Sequence, residues 1–186
     1  GSFLKAKGDI SVVTNVDKDH LDYWGSFESL KDAFRSYLEN TSCGGKNIVC
    51  TDNEFLRGWI KDHPDAVSYA VENDAIWRVK DVSADGWGST CLVEREGEVV
   101  SKMRLGIPGL YNIQNALGAI AAVNGIGIQA DDACRHLESF PGVKRRLERI
   151  GEFGGVLVID DFAHHPREIE AALDAVKDTL PGSRLI

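Results

Sequence analysis

The stretch Val156-Leu157-Val158-Ile159-Asp160-Asp161-Phe162-Ala163-His164-His165-Pro166 decides the fold class. Its apolar run reads as a buried strand, and Pro166 opens a helix because proline suits the first helical position. A strand running directly into a helix start is the joint of a layered α/β sheet. The joint also brings two carboxylates and two imidazoles to a helix N-terminus. Successive strand residues point to opposite faces, so Asp160 and Asp161 should have different jobs. The positive end of the helix dipole can attract a substrate carboxylate. A plain capping turn is the alternative, although four polar groups are costly to bury without partners.

Working outward from this joint, Arg146 to Ile150 reads as a strand joined to Val156–Ile159 through Gly154-Gly155. After Pro166, the residues Ile169, Leu173, Val176 and Leu180 form a helical stripe expected to be buried. Pro181-Gly182 stops that helix, and Arg184 to Ile186 is expected to begin another strand. Upstream, Phe140-Pro141-Gly142 is the best linker candidate, dividing the chain into units 1–140 and 141–186. In the first unit, Ile10 to Asn15 and Asn47 to Thr51 read as strands. A helix capped by Ser26 runs to about Asn40, and another is capped by Asp52. Ala66 to Leu105 alternates β-prone runs with Asn73-Asp74, Asp85-Gly86 and Glu96-Gly97, the pattern of antiparallel hairpins. Leu110 to Val123 reads as a helix with Ile113, Leu117, Ile120 and Ala121 on one face, and a shorter helix follows from Asp131 to Leu137. The chain begins almost on a strand and ends on the expected start of another, which suggests a fragment of a longer protein.

The 186 residues carry 21 Lys+Arg against 29 Asp+Glu, a formal net charge of −8, and 43% hydrophobic residues. That is a globular composition. The acidic balance argues against a nucleic-acid partner but permits a local basic pocket for a small anion. No apolar run reaches the roughly 18–20 residues that span a bilayer, so no membrane partner is expected. The cysteines, Cys43, Cys50, Cys91 and Cys134, show no metal-ligand spacing, and reduced thiols in a cytoplasmic setting are expected.

Three further groups are candidates for chemistry. Thr14 to Asp22 is a polar loop at a strand's carboxyl end, where α/β proteins place ligands. Its carboxylates and His20 suit a magnesium or manganese ion bridging phosphates, or simply form a solvated loop. Asn112 and Asn115 share a face near a helix start, and an amide's donor and acceptor suit an adenine edge. Capping by Asn112 is the alternative. Lys144-Arg145-Arg146 can hold phosphate through a guanidinium fork, or lie on a solvated basic face.

Taken together and in order, these stretches resemble the Mur ligases, the ATP-dependent peptide-bond-forming family of cell-wall synthesis. Asn15-Val16-Asp17-Lys18-Asp19-His20-Leu21-Asp22 is similar to the family's "TN…DHLD" motif. Tyr111-Asn112-Ile113-Gln114-Asn115-Ala116-Leu117 is similar to its "HNxxNALAA" helix. Gly142 to Glu148, followed by Asp160 to Pro166, resembles the alanine-adding branch. The resemblance implies an α/β fold: the latter part of a three-layer central ATP-binding domain with an antiparallel β section, then the first βαβ of a Rossmann-like C-terminal domain. It implies ATP and Mg2+ as cofactors, UDP-N-acetylmuramate and L-alanine as substrates, and an acyl-phosphate intermediate. Homodimerisation is left open.

By the same resemblance, His20 would be a magnesium ligand. Asn112 and Asn115 would meet adenine, Asp161 the ribose, and Arg146 the ATP phosphates. His164 would recognise the incoming amino acid, which makes Arg146 and His164 the expected catalytic residues. Tyr111 stands where the family usually has histidine. Phe162 stands where many alanine-adding members have tyrosine, and it suits the murein-recycling branch, which adds a tripeptide. No Gly-x-x-x-x-Gly-Lys-Ser/Thr phosphate loop occurs in the sequence, so the chain alone is expected to be inactive. A non-catalytic nucleotide-binding remnant is the remaining alternative.

Overall fold

The structure is a computed structural model describing all residues, Gly1–Ile186. Its centre is a six-stranded sheet in sequential order: β1 (Ile10–Val13), β2 (Lys46–Cys50), β3 (Val67–Tyr69), β4 (Trp77–Asp85), β5 (Gly88–Arg95) and β6 (Glu98–Leu105). β1, β2 and β3 are parallel. The crossovers between them carry α1 (Leu21–Trp24), α2 (Phe27–Glu39) and α3 (Glu54–Trp59). Ser26 caps α2 as expected, its hydroxyl accepting the Ser29 N–H at 3.1 Å.

The antiparallel section starts later than the turn signals imply. β3 is parallel to β2 and meets β4 through a single parallel bridge, Tyr69 to Trp77, so Asn73-Asp74 is not a hairpin turn. Only β4, β5 and β6 form an antiparallel meander. Its second turn has Glu96 at φ 53° and Gly97 at φ 88°. Positive φ at both central residues gives the turn that matches the twist of a two-residue hairpin.

Asp52 does not cap α3. Asn53 does, through the Leu56 N–H at 3.2 Å. The Asp52 carboxylate instead accepts the backbone N–H groups of Val71, Glu72 and Asn73 and the side-chain amides of Asn73 and Gln114, all within 3.1 Å. The β3–β4 connection ends there without backbone partners of its own, and buried donors need acceptors.

α4 (Leu110–Asn124) packs across β1 to β4, burying Ile113, Leu117, Ile120 and Ala121 as its spacing requires. α5 (Ala130–Glu138) packs on β6. One apolar core unites these elements, with Ile48, Val49, Leu56, Tyr69 and Val93 fully buried. The four cysteines are free, and only Cys43 is exposed.

The second unit is an antiparallel hairpin, β7 (Glu148–Phe153) and β8 (Val156–Asp160), followed by α6 (Pro166–Thr179). Gly154 and Gly155, at φ 58° and 79°, make its two-residue turn. Two expectations fail here. α6 buries Ala172, Ala175 and Val176, while Ile169 and Leu173 are each 43% exposed. The helix comes close to the start of α4 at one point, where small residues meet: a Cβ on Gly109 would stand 3.0 Å from the Cβ of Ala175. Residues 184–186 form no strand: β7 and β8 pair only with each other, and no ladder reaches this stretch. The small core of this unit, around Leu147, also packs against Trp87 and Tyr111 of the first unit, which fixes the seam between the two.

Candidate functional site

A cleft of about 1040 Å3 runs along that seam. Its walls come from the loop after β1, the start of α4, and the turns that precede β7 and α6. Of the residues singled out in the sequence, His20, Asn112, Asn115, Arg146 and Asp161 line it. The ring of His164 does not, and His165 takes that place.

The loop after β1 is shaped by its own carboxylates. Asp17 Oδ1 accepts the Lys18 N–H at 2.7 Å, and Asp19 Oδ1 accepts the His20 N–H at 2.8 Å. His20 sits in the left-handed region (φ 50°, ψ 37°) as the residue capping α1. Its side chain is 74% exposed, with Nε2 3.6 Å from Asp19 Oδ2. No three His, Cys, Asp or Glu side chains gather into a metal cage. The Asp19 carboxylate, with water and phosphate oxygens, fits an ordinary magnesium environment, to which the neighbouring His20 imidazole would be a less common ligand.

At the start of α4, Gly109 adopts φ 98°. A Cβ there would come within 2.9 Å of the Tyr111 ring, so the close approach needs glycine. Asn112 spends its amide donor on the Pro108 carbonyl at 2.6 Å, tightening the first turn. Asn115 is exposed to the cleft. Tyr111 is half-buried between Asn112 and the second unit. Burial, helped by the negative charge of Asp161, pushes its phenol up to about 12.

The second unit contributes the basic and acidic groups. Alternation along β8 separates the two aspartates as expected. Asp160 Oδ2 lies 3.6 Å from Arg145 Nε, outside the cleft, whereas Asp161 faces into it. Asp161 Oδ2 accepts the Leu147 N–H at 2.8 Å and Oδ1 accepts the Ala163 N–H at 2.7 Å. Of the three adjacent cations, only Arg146 lines the cleft, and Arg145 covers the Phe162 ring, 4.5 Å from its centroid.

His165 caps α6, its Nδ1 accepting the Arg167 N–H at 3.4 Å. The Glu168 carboxylate reaches back to the N–H groups of His164 and His165 at 3.2 and 3.4 Å. Partial burial works to raise the Glu168 carboxyl, but these bonds and the charge of Arg146 outweigh it and hold it below its ordinary value. His164 Nδ1 lies 3.1 Å from the Phe162 carbonyl and 3.6 Å from Glu168 Oε2, turned from the cleft.

Three contributors escaped the sequence reading. Arg167 lines the cleft and pairs with Asp17 at 2.9 Å. Glu168 also lines it and completes a capping box, a signal hidden because the cap is histidine rather than serine or threonine. The aromatic end of the cleft, formed by Phe3, Trp24 and Phe34, had no motif.

Residues 2–123 match the model of the Mur ligase middle domain, and residues 145–186 that of the Mur ligase, glutamate ligase domain. The UDP-N-acetylmuramate–L-alanine ligase of Rhizobium johnstonii is 40% identical over 98% of this chain, which spans 40% of that protein's length. The solved UDP-N-acetylmuramate-alanine ligase MurC of Thermotoga maritima is 28% identical, with a TM-score of 0.78 over 92% of this chain and 38% of its own. A murein peptide ligase from Psychrobacter arcticus is 29% identical, with a TM-score of 0.64 over 99% of this chain and 38% of its own. With these matches along nearly its whole length, the chain belongs to the Mur ligase family.

Proposed function

We propose that this chain carries the nucleotide-facing and amino-acid-facing walls of an ATP-dependent ligase that joins L-alanine to UDP-N-acetylmuramate through an acyl phosphate. The observation that carries the reading is the shared cleft, where His20, Asn112, Asn115, Arg146 and Asp161 converge from four separate segments. Residues 1–140 would be the latter part of the central ATP-binding domain and 141–186 the start of the C-terminal amino-acid-binding domain. A cytoplasmic location belongs to the same proposal.

Each role follows from the chemistry of the group. Asn115 offers a free amide to the adenine edge, and Asn112 offers its carbonyl oxygen and one N–H, the other N–H being engaged by the Pro108 carbonyl. Asp161 keeps unused lone pairs for ribose hydroxyls. Arg146 presents a guanidinium fork to phosphate oxygens. His20 and Asp19 would hold magnesium, which when bound neutralises charge on the phosphates. The positive end of α6, a helix of 14 residues, faces the seam and favours the carboxylate of the amino acid, with His164 in the turn beside it. The protein's contribution is mainly positioning and charge neutralisation.

The test is phosphate release from ATP by the protein extended to the length of its relatives. L-alanine should stimulate it, and a tripeptide should not. The murein-recycling alternative is favoured by Phe162 and by the similarity to the Psychrobacter arcticus enzyme, and preference for the tripeptide would establish it. For the 186-residue chain we expect no turnover, and measurable ligation by it would overturn that expectation.

A further inference from the structure

The segment Arg145-Arg146-Leu147 is bent in an unusual way. Arg145 and Leu147 both lie in the left-handed region, at φ 59° and 48°. L-residues avoid that region because Cβ crowds the backbone, so something must hold the bend. Four contacts do so. Leu147 is 3% exposed, packed against Ala172, Ala175 and Val176. Its N–H is accepted by Asp161 Oδ2 at 2.8 Å. The Arg145 N–H is accepted by Glu148 Oε2 at 2.8 Å, and the Arg145 carbonyl accepts the Phe162 N–H at 2.8 Å. Arg146 is the residue between the two left-handed positions, and alone of the three basic residues it lines the cleft. A relaxed, extended segment would rotate its Cβ away.

We infer that Asp161, seconded by Glu148, is a positioning residue that locks the 145–147 bend and so aims Arg146 at the phosphate end of the cleft. This rests on Arg146 being a phosphate ligand, and it adds to any contact of Asp161 with ribose. The two carboxylates differ in a useful way, since Glu148 lines no part of the cleft and can act only through the bend.

The experiment titrates the chain with ATP and with 2′,3′-dideoxy-ATP, whose sugar offers no hydroxyl. Trp24, a cleft residue, serves as the fluorescent reporter. The variants are Asp161→Asn, Glu148→Ala, Arg146→Ala and both double variants with Arg146→Ala. Asp161→Asn should weaken dideoxy-ATP by about tenfold and Glu148→Ala by about threefold, with neither adding to the loss in the Arg146→Ala background. Penalties that multiply with Arg146→Ala, or an Asp161→Asn penalty confined to ATP, would overturn the inference. An Arg146→Ala variant that binds ATP normally would overturn the phosphate role and the inference with it, leaving ATP binding intact. If the unaltered chain, which carries no phosphate loop, binds no ATP, the titrations are repeated on the protein extended to the length of its relatives, and the nucleotide reading falls if that protein binds none either. Hydrogen exchange at the Leu147 and Arg146 amides then decides the bend: acceleration in Asp161→Asn supports the lock, and unchanged exchange rejects it. Should Asp161→Asn fail to fold, Glu148→Ala carries the test alone.

Discussion

Arg167 Nη1 of α6 stands 2.9 Å from Asp17 Oδ2 in the loop after β1, linking the two units directly across the cleft. The Arg167 side chain is 75% exposed and the Asp17 side chain 24%. A pair so open to water contributes little to global stability, about 0–1 kcal/mol. Its effect should be on the seam. Arg167→Ala should leave the denaturation midpoint almost unchanged while hydrogen exchange in the first turns of α6 quickens. The same quickening should appear in the unaltered protein at 1 M salt, where the Debye length is about 3 Å. Exchange insensitive to both would show that apolar contacts alone hold the seam.

Asp52 predicts a pH effect. Burial works to raise its carboxyl, but hydrogen bonds from Val71, Asn73, Gln114 and Glu72 outweigh it and hold the group below its ordinary value. A lowered folded pKa means stability that is complete above the unfolded value of about 3.9 and lost as pH falls through the folded one. Asp52→Asn should therefore destabilise by about 1–3 kcal/mol near neutrality, because the replacement amide faces N–H donors with a donor of its own. The gap between the two proteins in urea denaturation should hold constant above about pH 5 and narrow below about pH 4. A constant gap down to about pH 3 would exclude the linkage.

How much could be read in advance depended on the range of the signal. Local signals succeeded. Ser26 marked the cap of α2, Gly154-Gly155 marked the β7–β8 turn, and the Ile113–Leu117–Ile120 spacing marked α4 and its buried face. Where two elements compete for one face, local signals misled. Ile169 and Leu173 are the largest apolar residues on α6, yet Ala172, Ala175 and Val176 are buried instead, the helix approaching the start of α4 most closely where Ala175 meets Gly109. The parallel placement of β3 was hidden because its three residues pair mainly with β2, across α3. Of the motif residues, His20, Asn112, Asn115, Arg146 and Asp161 line the cleft and His164 does not. Arg167 was not foreseen, since its partner Asp17 is distant in sequence and neither residue is unusual where it stands.

Tyr69 is fully buried, and its hydroxyl has no hydrogen-bond partner. It lies so close under α4 that a Cβ on Gly118 would be 2.9 Å from the hydroxyl oxygen. An unsatisfied buried hydroxyl loses its hydration without compensation. Tyr69→Phe should thus be neutral or stabilising by up to about 1 kcal/mol. Gly118→Ala should cost about 1–3 kcal/mol by overpacking. Urea denaturation measures both, and a Tyr69→Phe variant clearly less stable than the parent would mean that the hydroxyl has a partner in solution.

Asn112 and Asn115 sit on one helix face but differ in what they already do. The Asn112 amide donates to the Pro108 carbonyl at 2.6 Å, so Asn112→Ala removes a bond that shapes the start of α4 and should cost about 1 kcal/mol of stability. Asn115 is exposed, so Asn115→Ala should shift stability by less than about 0.5 kcal/mol. If both amides meet the adenine edge, each substitution should weaken ATP about three- to tenfold while leaving the affinity for inorganic triphosphate unchanged, because the proposed phosphate contact is Arg146, on the second unit. The separation of effects is the informative result. Asn115 has no structural duty that could mask its contribution, so a normal ATP affinity in Asn115→Ala would remove the start of α4 from the base-binding wall. A parallel loss for ATP and triphosphate would instead mean that the substitution had moved the seam, since α4 and α6 pack together through Gly109 and Ala175.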